Sequence, residues 1–247
     1  MPAVTEPLEN LFGDQLEAVN DPALRSEWRT YLSYHARRYE VLLRVVLRLL
    51  AGKDAPRILN VGPMFETALL RERVPGAVVD TLGFAPSLFP PGPGERHLEL
   101  DLNRSGETSA PAGDGSYDAI VMGEVIEHLH TAPSIVLRYL AGWLGPGGIL
   151  ILQTPNAVAL HKRLRMIVGR NPIEPIRESS DNPGHFHEYT LGELRAAAER
   201  AGLAVEGWEA ANYFGTTPGA RAYAAVGRFL PASLRHGITM WLRRATG

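Results

Sequence analysis

Short apolar runs alternating with helix-periodic segments constrain this chain more than any other feature. Residues 57–61 read as a buried strand and 66–73 as a helix ended by Pro75-Gly76. Residues 77–82 make a second strand, 97–100 a short third and 117–122 a fourth. Two helical segments are expected across 124–144, then a turn at 145–148 and a continuous apolar fifth strand over 149–152. Thr190 and Glu193 have capping-box spacing for a helix over 190–201, and 204–208 and 238–242 are candidate late strands. Such strands require a mostly parallel sheet with both faces covered by helices. The expected fold is α/β, a doubly wound Rossmann-like sheet in a single domain.

Ahead of the sheet, Trp28, Leu32, His35, Tyr39, Leu42 and Val46 recur at helical spacing, and Gly52 stops the pattern. Residues 1–52 are therefore expected as a loose arm plus a helix, and 53–247 as the α/β domain. Arg37, Arg38 and Tyr39 could reach a ligand carboxylate, but their expected place is the exposed face of that helix. Residues 157–182 are too long for a simple connection and are expected to form a cap. The absence of cysteine excludes disulfides, thiolate ligands and a cysteine nucleophile, and a net charge of −2 provides no general attraction for nucleic acid. The most apolar window, 41–50, is interrupted by Arg44 and Arg48, and the N-terminus lacks a basic residue before an apolar run. These features read as a cytoplasmic chain without a transmembrane segment.

Ligands of such sheets bind beyond the carboxyl ends of the strands. The loop after the first strand, Asn60-Val-Gly-Pro-Met-Phe-Glu66, holds one glycine. After the fourth strand, Glu124, Glu127 and His128 would share a helix face within about 100°. Acidic residues there could simply complement the helix dipole. The returning segment Gly184-His-Phe-His187 adds imidazoles, so two carboxylates with His128 and either His185 or His187 make a set suited to Mg²⁺ or Mn²⁺. Without an ion, His128 or His185 could act as general base.

Ser116-Tyr-Asp-Ala-Ile-Val121, Glu124-Val-Ile-Glu-His-Leu129, Leu144-Gly-Pro-Gly-Gly148, Thr154-Pro-Asn156 and His187-Glu-Tyr-Thr190 follow one another in the order found in class I S-adenosylmethionine-dependent methyltransferases. The chain resembles that superfamily over about residues 57–210, which implies a seven-stranded sheet and S-adenosylmethionine as cofactor. The resemblance assigns Asn60, Gly62, Phe84, Asp101, Leu102 and Glu124 to the cofactor. Asn60 stands where the superfamily has an acid, and Met64 and Glu66 replace the later glycines of its first loop. The ribose-binding acid would fall at Gly83, with Asp80 three residues earlier. Glu-x-x-Glu-His is similar to the start of the metal site in O-methyltransferases of the ubiquinone pathway and in small-RNA 2′-O-methyltransferases. It implies Glu124, Glu127, His128 and His185 as metal ligands, with Glu127, His128 and His185 at the reacting centre. The implied activity is O-methylation of a small, or glycan- or lipid-linked, anionic acceptor. The basic run His161–Arg170 would either recognise that acceptor or form a solvated helix face. The alternative is a non-catalytic module whose altered first loop has lost the cofactor.

Overall fold

The computed structural model describes residues 12–17, 20–84, 89–107, 112–173, 175–178, 183–213, 227 and 229–245. Most of the expected N-terminal arm and residues 174 and 179–182 of the expected cap lie outside them. The described helices are α1 (Gly13–Glu17), α2 (Pro22–Leu49), α3 (Phe65–Arg73), α4 (Pro133–Ala141), α5 (Leu160–Ile167) and α6 (Leu191–Arg200). The strands are β1 (Arg57–Val61), β2 (Val78–Gly83), β3 (His97–Glu99), β4 (Tyr117–Gly123), β5 (Leu144–Pro155), β6 (Leu203–Ala211) and β7 (Gly237–Arg244). They form one seven-stranded sheet in the order β3-β2-β1-β4-β5-β7-β6, parallel except for β7. The strand order reverses between β1 and β4, so the carboxyl ends of these two strands flank a crevice.

Alternating side chains of each strand enter two separate cores. Leu59 and Val61 pack with α4 and α6 on one face, and Ile58 packs with α2 and α3 on the other. Helix α2 starts on Asp21, whose side chain accepts from the Ala23 amide at 2.8 Å, with Pro22 at its first position. It lays Leu32, Tyr39, Leu42 and Val46 against the sheet, the stripe its periodicity predicts. Thr190 and Glu193 close their capping box at α6. None of the described helices is long and apolar enough to cross a membrane.

Two local expectations need correction. The glycines at 145–148 lie inside β5 as an outward loop: Tyr117 pairs with Leu144 and Ala119 already pairs with Ile149. Of the two helical segments expected after β4, the second is α4, but the first is a single 3₁₀ turn, Ile126–His128, that starts beyond Glu124.

Candidate active site

A cavity of about 810 Å³ opens at the β1/β4 crevice, within the range of small-molecule sites. Gly62, Phe84, Asp101, Leu102 and Glu124 all line it. Gly62 has φ +73°, and a Cβ there would stand 2.6 Å from Val125 Cγ2, so only glycine lets β1 turn past β4 here. Phe84 is 70% exposed at one wall and Leu102 is buried beside it, an apolar slot for a flat ring. The wall is held from beneath. Asp101 caps its own turn through the Asn103 amide at 2.9 Å, and Asn103 Oδ1 accepts from the amides of His130 and Thr131. Met64 and Glu66 line the cavity without filling it, and Phe65 turns away into an aromatic cluster with Phe12, Trp28 and Phe89.

At the inner end lies Arg38, expected on an exposed face but buried. Its Nε and Nη1 have no hydrogen-bond partner among the described residues. Glu66 Oε2 is 4.0 Å from Nη2, an ion pair too long for a hydrogen bond, and is itself unpartnered among them. Burial opposes the Arg38 charge, but Tyr39, Glu66, Tyr31 and Glu124 outweigh it and move its pKa upward. Burial pushes the Glu124 carboxyl up to about 7 against the pull of Arg38, and burial likewise raises Glu66. A Cβ on Gly123 would meet Arg38 Nη1 at 3.0 Å, so a small residue at the end of β4 makes room for the guanidinium. Arg37, by contrast, is exposed and paired with Glu40.

Glu124 does not share a helix face with Glu127 and His128. It holds φ +56°, a left-handed conformation costly for a non-glycine residue. The ligand atoms that do converge, within 4.8 Å of one another, belong to Glu127, His128 and His185. Backbone geometry brings them together, because the amides of Phe186 and His187 both donate to the Glu127 carbonyl. His128 Nδ1 lies 2.9 Å from the Gly184 carbonyl and must donate to it, so in the neutral ring the lone pair sits on Nε2. His185 Nδ1 lies 3.0 Å from Glu188 Oε1, which places its lone pair on Nε2 as well. Glu127 is completely buried; Oε2 accepts from Thr154 Oγ1 at 2.8 Å, while Oε1 has no partner among the described residues. Burial and the nearby Glu124 charge raise its pKa well above the ordinary value. A divalent cation would relieve both costs, and the arrangement of Nδ1 donors behind the imidazoles is that of metal-binding histidines. The residues present therefore fit an ion held by Glu127, His128 and His185, with Glu124 apart.

Other candidates lie elsewhere. Asn60 sits behind the wall, donating to Thr67 Oγ1 at 2.8 Å. Asp80 cannot serve a ribose: fully buried, it accepts from Arg57, from Tyr117 Oη and from the Arg96 amide and side chain. His187 is exposed beside Glu193. Arg163 and Arg165 stand exposed outside the cavity lining, and Lys162 is buried on Glu188. Arg177, His130 and Phe186 are the residues found at the mouth. A sequence signal for Arg38 existed, since Tyr31, His35, Arg38 and Leu42 follow steps of four, three and four along one face of α2.

A model of a methyltransferase-domain family matches residues 34–207. A protein of Mycolicibacterium smegmatis described as a "probable S-adenosylmethionine-dependent methyltransferase" is 27% identical over 179 residues, covering 70% of this chain and 61% of its own. The chain thus spans about three fifths of that relative's length. An S-adenosylmethionine-dependent methyltransferase from Mesorhizobium loti superposes with a TM-score of 0.56 at 16% identity, over 83% of this chain and 97% of that one. The Burkholderia thailandensis 1,6-didemethyltoxoflavin-N1-methyltransferase, solved with bound 1,6-didemethyltoxoflavin and S-adenosylhomocysteine, gives 0.53 at 14% identity, over 100% and 93%. At these identities the structures share the fold.

Proposed function

The chain belongs to the methyltransferase-domain family, within the class I S-adenosylmethionine-dependent superfamily, and on that premise we propose that it methylates an acceptor oxygen from S-adenosylmethionine. One observation carries the cofactor reading: a buried guanidinium with two donor atoms that have no partner among the described residues closes the inner end of an open cavity at the strand-order reversal. When bound, the cofactor supplies an electrophilic methyl group on a sulfonium. Arg38 Nε and Nη1 would take the methionine carboxylate, and Glu66 and Glu124 the ammonium. These side chains would do what the missing loop glycines do elsewhere by backbone approach. Phe84 and Leu102 would flank the adenine, and Gly62 would pass beneath the ribose. Holding methyl carbon and acceptor oxygen in line lowers the barrier by about 7–11 kcal/mol, more than any other effect these residues can exert.

Glu127, His128 and His185 would hold Mg²⁺ or Mn²⁺, which supplies Lewis acidity toward an acceptor hydroxyl. A second reading rests on the His185–Glu188 contact: with no ion, His185 Nε2 would take the proton of the acceptor hydroxyl as general base. Arg177 and His130 at the mouth favour an anionic acceptor, small or glycan- or lipid-linked. Crystals soaked with S-adenosylhomocysteine and manganese test both halves. The expected result is a carboxylate on Arg38, and manganese among Glu127, His128 and His185. Manganese elsewhere would remove the metal reading, and an empty cavity would favour a non-catalytic module.

A further inference from the structure

Behind His185 lies a pair of buried charges, Glu188 and Lys162, of which the lysine has no part in the proposed reaction. Glu188 is 6% exposed and spans two partners: Oε1 faces His185 Nδ1 at 3.0 Å, and Oε2 accepts from Lys162 Nζ on α5. Lys162 is also 6% exposed. Burying two ions costs several kcal/mol each, and pinning α5 to the following segment would not need a carboxylate aimed at an imidazole. Adjacent contacts already fix that segment: Tyr189 bridges Asn156, and its carbonyl accepts from the Ala157 amide at 3.0 Å.

Resting on the reading of His185 as a site residue, we infer that Glu188 is a positioning residue that holds His185 in the Nδ1–H form, with Lys162 fixing which way Glu188 presents itself. Donors and acceptors decide the matter. A carboxylate only accepts, so the imidazole nitrogen facing it must carry the proton, and Nε2 is left bearing the lone pair. Lys162 only donates, so it keeps an acceptor oxygen turned toward itself whatever occupies position 188. Because Lys162 belongs to α5, seating that helix and preparing His185 become one event. Burial lowers the Lys162 pKa to about 8, while the Glu124 and Glu127 charges pull it upward, so these acids favour its charged form.

A glutamine at 188 should reverse the pattern. Lys162 would claim the amide oxygen, the amide NH₂ would face His185 Nδ1, and the imidazole would be forced to the Nε2–H form. Removing the lysine as well, in E188Q/K162M, would let the amide turn over and restore Nδ1–H. Two-bond nitrogen-15 correlation spectra of histidine-labelled protein read this directly at mildly alkaline pH, with the signal assigned by H185Q. The expected series is Nδ1–H in the wild type, Nε2–H in E188Q and Nδ1–H again in the double variant. Any form other than Nδ1–H in the wild type overturns the inference without need of a variant, as does Nδ1–H persisting in folded E188Q. Manganese titration separates this from the metal reading. If the wild type binds manganese, E188Q should weaken it by about 10–100-fold. A wild type that binds none, with the tautomer series intact, would sink the metal reading and keep the role of Glu188.

Discussion

Replacing Arg38 by methionine tests the inner end of the site: it keeps an unbranched apolar stem and removes the guanidinium, whose carbon lies 4.3 Å from the centre of the Tyr39 ring. Two charge-assisted hydrogen bonds to a buried carboxylate contribute about 1.5–3 kcal/mol each, an upper range of about 3–6 kcal/mol. The lower half applies, because in the unliganded protein Arg38 also gives up some attraction to Glu66 at 4.0 Å when it turns to a ligand. The expected loss is about 3 kcal/mol, or about 100-fold weaker binding of S-adenosylhomocysteine by calorimetry. The control is 5′-methylthioadenosine, which keeps the adenosyl group and sulfur but lacks the amino-acid end; its affinity should hardly change. Equal losses for both ligands would mean that Arg38 merely supports the fold. An unchanged affinity for S-adenosylhomocysteine would refute the assignment of its carboxylate.

Three further outcomes follow from the geometry. Glu124→Gly relieves a left-handed non-glycine residue and removes a buried carboxyl, so the melting temperature should rise by the equivalent of about 1–3 kcal/mol while cofactor affinity falls. A lower melting temperature would show that Glu124 contributes to stability. Asp80→Asn leaves Arg57 without its charged partner and Arg96 with Asp114 alone, and should cost about 1.5–3 kcal/mol in urea unfolding, with cofactor affinity preserved; weakened binding at unchanged stability would restore Asp80 as a ribose ligand. Burial, helped by Arg38, holds His35 at about 3, and burial beside His161 and Lys162 holds His236 at about 4, both below the usual 6.5. Stability from these neutral rings is complete above about 6.5 and is lost as pH falls through the depressed values, by up to about 1.4 kcal/mol per pH unit for each ring. Thermal melts should show that fall, and His236→Asn should flatten it.

The layered fold was legible because it follows from local period. The apolar runs of β1, β4 and β5 and the stripe of α2 each declare which face is covered, and the capping box at Thr190 marks a helix start by spacing alone. The site was legible only where a motif sits on a regular element. Arg38 reads as surface because a guanidinium normally belongs there; only the crevice above it and the absence of a side chain on Gly123 make its burial tolerable. Asp80 looks like a ligand three residues early, yet those three residues set it back along β2 toward the amino-terminal ends of the strands, where it meets Arg57 and Tyr117. The helix expected through Glu124, Glu127 and His128 fails at the left-handed Glu124, whose conformation no propensity announces. Glu188 stands inside a recognised motif, but its meaning depends on Lys162, 26 residues away in sequence.

The most direct measurement is a calorimetric titration of the wild-type protein with S-adenosylhomocysteine. One-to-one saturation is expected, with a dissociation constant well below about 1 mM, abolished by competition with S-adenosylmethionine. Absence of heat and of displacement at millimolar ligand would contradict the cofactor assignment, because the cavity that ends at Arg38 would then be serving some other molecule.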